Sequence, residues 1–130
     1  MALVYLPEKT WSPRYGPEFF TVAIIGVDIH ERTYARYKIM IQNGKKHWTL
    51  LRRFSEFDKM RSSVQSKKGR DIPPLPPKTF WCRDLNPEYL VRRKALLYEF
   101  LNDLLVIPHV TEENGVRDFL QLQSSKTFFV

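Results

Sequence analysis

An α+β domain is predicted for this chain: a three-stranded antiparallel β-meander packed against a helical subdomain of three to four helices, with a polyproline segment between them. Three observations carry that expectation. The first half holds three runs rich in β-branched and aromatic residues, and the second half holds stretches with helical spacing. Between the halves lies Ile72-Pro73-Pro74-Leu75-Pro76-Pro77-Lys78, which can only be extended, because proline lacks the amide donor and fixes φ.

With 130 residues the chain has room for one hydrophobic core and hence one domain. Residues 1–17, with three prolines and a glycine, read as a loosely ordered lead-in, residues 18–122 as the folded domain and residues 123–130 as a tail. The first strand is expected at Phe19–Ile29, the second at Thr33–Ile41 and the third at His47–Phe54. Gln42-Asn43-Gly44-Lys45 joins the last two, with Asn-Gly as the preferred pair for a tight turn with φ > 0. Ser55 stands where a helix should start, Asp58 completes a capping-box pattern, and Phe57, Met60, Arg61 and Val64 follow at helical spacing to Gln65. A polar linker, 66–71, leads into the proline segment. A long amphipathic helix is predicted from Pro87 to Val106, stopped by Ile107-Pro108, and a last helical piece at Glu112–Leu122.

Composition narrows the function classes. Hydrophobic residues at 43% and charged residues at 27% are the balance of a folded protein. Lys and Arg number 21 against 14 Asp and Glu, and the resulting charge of +7 favours an anionic partner, phospholipid or nucleic acid. The single Cys82 excludes an internal disulfide and points to a reducing compartment. His30, His47 and His109 lie too far apart to suggest a metal site. Met1–Leu6 is apolar but is ended by Pro7, Glu8 and Lys9, too soon for a signal-peptide core. No apolar run reaches the ~20 residues that a spanning helix needs, so membrane contact would be peripheral. No cofactor is expected, since neither a Gly-rich phosphate loop nor a catalytic or metal-binding motif occurs.

Certain residues do not read as structural. In the long helix Leu90, Leu96, Leu97, Phe100, Leu101, Leu104 and Leu105 form one stripe. Arg93 falls within about 40° of its centre, whereas Arg92 points to the far side. A guanidinium stays charged, so an inward Arg93 needs an anion or a set of acceptors waiting for it, unless it forms an internal ion pair with a carboxylate or snorkels outward. In the third strand alternation puts Thr49, Leu51 and Arg53 on one face and Trp48, Leu50, Arg52 and Phe54 on the other. Arg53 just before a helix start offers a forked donor beside free backbone amides, a receptor for phosphate. Phe80 and Trp81, next to Lys78 in a stretch without periodicity, suit either the bilayer interface or the core.

The ordered set Arg52-Arg53-Phe54-Ser55, then Ile72-Pro73-x-x-Pro76-x-Lys78, then Arg93 in an amphipathic helix, resembles the PX (phox homology) family of phosphoinositide-binding domains. The resemblance implies a three-stranded sheet against a helical subdomain with a basic pocket between them. It implies that Arg53 takes the 3-phosphate of phosphatidylinositol 3-phosphate, Phe54 stacks on the inositol ring and Ser55 supports the phosphate. Lys78 would contact the 1-phosphate and Arg93 the 4- and 5-hydroxyls, while Phe80 and Trp81 would insert into the membrane. Arg52, Arg92 and Arg14 could extend the site towards a second phosphate or the anionic bilayer surface. A cytoplasmic protein bound peripherally to endosomal membranes follows as the expectation, with no enzymatic activity. Two other classes stand beside it. Pro73–Lys78 also fits the proline-x-x-proline ligand of Src-homology-3 domains. The basic charge and interleaved aromatics fit nucleic acid, but no helix-turn-helix, zinc-finger or Arg/Gly-rich pattern supports that partner.

Overall fold

The computed structural model describes residues 3–65, 71–77 and 85–122. Lys78, Phe80, Trp81 and the tail from residue 123 lie outside them. The expected antiparallel meander is present as β2 (Phe19–His30), β3 (Tyr34–Asn43) and β4 (Lys46–Arg53). A fourth strand, β1 (Val4–Tyr5), comes from the lead-in and pairs in parallel with Phe19 and Phe20 of β2, giving the order β1-β2-β3-β4. Three strands were expected because prolines at 7, 13 and 17 mask so short a strand. The ring of Tyr5 belongs to the core, tilted on Phe20 at 5.5 Å between centroids, and its hydroxyl donates to Asn102. Burial raises its pKa well above the usual phenol range.

The turns differ from the expectation in register. β3 runs through Asn43, which pairs with Lys46, so the two-residue turn is Gly44-Lys45. Gly44 has φ 61° and a Cβ there would meet Pro17 backbone at 3.3 Å, so glycine suits that place on both counts. The Asn43 side chain is used differently, donating to the carbonyls of Pro17 and Phe19. Between Ile24 and Gly26 the register of β2 shifts by a bulge. Before it, Phe20, Val22 and Ile24 face inward; after it, Val27 does.

The inner sheet face packs on α1 (Phe54–Gln65), α2 (Pro87–Leu105) and α3 (Asn114–Leu120), with a short 3₁₀ turn, Val110–Glu112, before α3. The single predicted piece Glu112–Leu122 is thus a turn and a shorter helix, ended by Gln121 in the left-handed region. α1 starts one residue before the expected cap. β4 runs into it without a loop, and Glu56 accepts the backbone N–H of Arg53 at 2.9 Å, so the reciprocal capping bond belongs to Glu56 and not to the Ser55–Asp58 pair. Phe57, Met60 and Val64 are buried as their spacing requires. Phe57 meets Phe119 of α3 at 4.9 Å and Tyr37 at 6.2 Å, both edge to face, a geometry that adds to the burial each ring already contributes. α2 begins at Pro87 with Asn86 as its cap, the Asn86 oxygen accepting the amides of Glu88 and Tyr89. Its buried stripe is the expected one except for Leu96, which is 41% exposed. Leu96 stands about 100° round the helix from Leu97, beyond the arc that the core covers.

The proline segment has threefold order, as a left-handed extended helix should. Asp71, Pro74 and Pro77 share an exposed edge, while Ile72 is buried and Leu75 half-buried against the core. Carbonyls in such a rod have no internal partner, and Arg61 of α1 meets them. Its Nε donates to Pro73 O at 2.7 Å, Nη2 to Ile72 O at 3.2 Å and Nη1 to the Gln65 side chain at 2.9 Å. Replacing Arg61 by Ala is expected to lower stability by about 1–3 kcal/mol, the scale of hydrogen bonds from a charged donor, with Arg61→Lys in between. Thermal unfolding gives the ranking.

Candidate phosphoinositide site

The end of β4, the start of α1, the first turns of α2 and the end of the proline rod converge at one corner of the molecule. Arg93 lies at its centre. It is 7% exposed, as the helical spacing requires, and its guanidinium sits 3.9 Å above the Phe54 ring. Nη1 donates to Pro77 O at 3.0 Å and to the Tyr89 hydroxyl one turn earlier on α2. Among the described residues no carboxylate forms an ion pair with it, so the internal ion-pair reading finds no partner there. The charge is held by an aromatic face, a carbonyl and a hydroxyl, which solvate it without neutralising it. Nearby Tyr37 has its pKa pushed up to about 12 by burial, with the field of Arg93 opposing the rise.

Phe54 is half-buried at the first position of α1, one face against Arg93. Arg53, the last residue of β4, is exposed, and its guanidinium lies 3.8 Å over the Tyr34 ring at the start of β3. It too has no carboxylate partner among the described residues. Ser55 is exposed in the first turn of α1. The structure therefore brings together Arg53, Phe54, Ser55 and Arg93, and places the carbonyl that precedes Lys78 against Arg93. The helix start is less open than expected, because Glu56 occupies the Arg53 amide.

The further arginines separate. Arg52 faces the helical side, donating Nε to Phe119 O at 3.0 Å with its guanidinium 5.5 Å from the Phe119 ring and 4.0 Å from Glu56. Its place is therefore to tie β4 to α3. Arg92 is exposed on α2, opposite in aspect to its buried neighbour, and Arg14 is exposed in the lead-in. Three contributors escaped the sequence reading. Tyr34 and Tyr89 each seat one of the two site arginines, and Arg61 holds the rod. The i, i+4 spacing of Tyr89 and Arg93 carried a signal for one of them; the Tyr34–Arg53 contact crosses from β3 to β4 and had none.

A cleft of roughly 390 Å³ lies between α1 and α3, where Glu56 and Asp118 offset Arg52 and Lys59, so it is not an anion site. Among the described residues no cluster of His, Cys, Asp or Glu could hold a metal ion, and no helix is long and apolar enough to cross a membrane.

The chain is similar to known proteins in sequence and in fold. The serine/threonine-protein kinase Sgk3 of Rattus norvegicus is 28% identical over 109 residues, covering 82% of this chain but 22% of the kinase. The endosomal/vacuolar adapter protein YPT35 of Vanderwaltozyma polyspora is 33% identical over 84 residues, 56% of this chain and 48% of the adapter. Among solved structures, a designed CISK-PX domain superposes with a TM-score of 0.70 at 26% identity, covering 77% of this chain and 97% of that one. The chain thus spans about a fifth of the kinase it resembles, and the shared part is this domain alone. The family model for the PX domain matches residues 40–123, from the middle of β3 past the end of α3, and the chain belongs to that family of phosphoinositide-binding membrane-targeting modules.

Proposed function

We propose that this PX domain recruits the protein that carries it to membranes by binding phosphatidylinositol 3-phosphate. The observation that carries the reading is the pair of guanidiniums, Arg93 over the ring of Phe54 and Arg53, the neighbour of Phe54 in the chain, over the ring of Tyr34, with no carboxylate neutralising either among the described residues. Arg53 takes the 3-phosphate with Ser55 beside it, Phe54 receives the inositol ring once Arg93 swings from its face, and Arg93 donates to the 4- and 5-hydroxyls. Lys78 meets the 1-phosphate, and Phe80 with Trp81 enters the bilayer next to it. The endosomal/vacuolar adapter among the relatives supports endosomes as the place, and the role of the module is binding rather than catalysis.

Arg53→Ala should leave the fold intact, since the side chain is exposed and rests on a single ring. Affinity for vesicles containing phosphatidylinositol 3-phosphate should fall tenfold or more, about the worth of one or two charge-assisted hydrogen bonds. Unchanged binding by the folded variant would remove Arg53 from the site.

Arg93 and Arg92 should part company. Arg93→Gln is expected to abolish the preference for the 3-phosphate lipid over other phosphoinositides. Arg92→Ala should weaken binding to every anionic vesicle by about 1 kcal/mol or less, and less again at high salt. Equal losses from both, erased by salt, would mean attraction to bulk charge only. Phe80→Ala combined with Trp81→Ala should weaken vesicle binding strongly yet spare the soluble headgroup, because inserted rings gain affinity from apolar burial at about 25 cal/mol per Å². A parallel loss in both assays would place the two rings in the core.

A second reading draws on the rod. Pro74 and Pro77 stand on its exposed edge, three residues apart, the presentation a proline-binding groove requires. Arg61 and Arg93 hold carbonyls of the same segment, which leaves that edge alone free for a Src-homology-3 partner.

A further inference from the structure

Arg53 has a twin. Arg36 is its direct cross-strand partner, and Asp28 of β2 is next along the same row on the open face of the sheet. Side chains so placed stand about 4.5–5.5 Å apart at Cβ, near enough for two guanidiniums to serve one anion. They are not equivalent. Arg36 directs Nε at 3.0 Å, and Nη2 as well, onto a single oxygen of Asp28, whereas Arg53 lies on Tyr34. One fork of the pair is engaged and the other is available.

The engagement is a consequence of the bulge. Beyond the register shift between Ile24 and Gly26, Asp28 stands opposite Arg36. An uninterrupted ladder would have put Val27 there and turned Asp28 to the other face. The ion pair is partly solvated, with side chains 29% and 47% exposed, so it contributes little to the fold. Beside Arg53, the carboxylate occupies Nε and Nη2 of Arg36 and adds a negative charge to that row.

We propose that Asp28 is a specificity-determining residue, which restricts the site to a headgroup with one ring phosphate beyond the 1-phosphate by withholding Arg36 from a second. This rests on the reading of Arg53 as the phosphate ligand. Releasing Arg36 creates a two-arginine receptor suited to a bisphosphorylated phosphoinositide.

The test is calorimetry of the whole chain with three soluble headgroups: inositol 1,3-bisphosphate, inositol 1,3,4-trisphosphate and inositol 1,3,5-trisphosphate. Asp28→Asn should raise affinity for at least one trisphosphate, relative to the bisphosphate, by about tenfold, the scale of one charge-assisted hydrogen bond. Adding Arg36→Gln to Asp28→Asn should return the ratio to that of the parent. Glu31→Gln, which removes the same charge from the adjoining β2–β3 turn, should leave the ratio alone. An unchanged ratio in Asp28→Asn, a gain that survives the loss of Arg36, or an equal gain from Glu31→Gln overturns the proposal. Failure of the parent chain to bind inositol 1,3-bisphosphate overturns the headgroup reading and this proposal with it, so the two failures are told apart.

Discussion

Everything at the ligand corner depends on how one charge is kept inside the protein. A guanidinium cannot shed its proton, and a helix that turns Arg93 inward must solvate it with whatever the fold supplies. Three elements do so: Phe54 at the β4–α1 junction, Pro77 at the end of the rod and Tyr89 on the same helix. Because each belongs to a different part of the chain, satisfying Arg93 also fixes the relative positions of sheet, rod and helix. The same side chain that organises the corner is left with charge to spare, and this is what makes it suitable for an anionic or polyhydroxylated ligand.

The rod illustrates how proline trades one difficulty for another. It needs no amide partners, but its carbonyls are bare, and a segment with bare carbonyls pressed on a protein surface requires donors from outside. Arginine supplies them at both ends, Arg61 to Ile72 and Pro73 and Arg93 to Pro77. The forked, planar donor suits two successive carbonyls better than a single ammonium would. Arg61 thus holds the segment whose last described carbonyl, that of Pro77, meets Arg93.

The two arginines that end β4 show how adjacent, chemically identical residues acquire unlike work. Strand alternation sends Arg52 to the helical side, where Phe119 and Glu56 hold it, and Arg53 to the open face beside Tyr34 and Arg36. The strand then becomes a helix without an intervening loop, so Arg53, Phe54 and Ser55 are carried round the junction together. Such a junction gives a rigid platform, since neither neighbour can move without disturbing hydrogen bonds of the sheet or of the first helical turn.

Much of this was legible in the amino-acid sequence, for reasons that are local. β-Branched and aromatic composition marked the three long strands, periodicity of 3.6 marked α1 and α2, and proline chemistry marked the rod. The angular position of Arg93 on its helix foretold its burial and the exposure of Arg92, because a regular helix fixes those directions whatever surrounds it. What had no local signature was decided by the fold. Val4–Tyr5 is too short to show a period and is a strand only because β2 offers an edge. Leu96 has the spacing of a core residue but lies outside the arc that neighbours cover. Arg52 and Arg36 carry the same charge as Arg53, yet one is held by α3, remote in the chain, and the other by Asp28 across a hairpin whose register a bulge sets. The sequence by itself determined which residues could bind a phosphate; tertiary structure decided which of them remain available, because availability depends on the partners that folding brings within hydrogen-bonding distance.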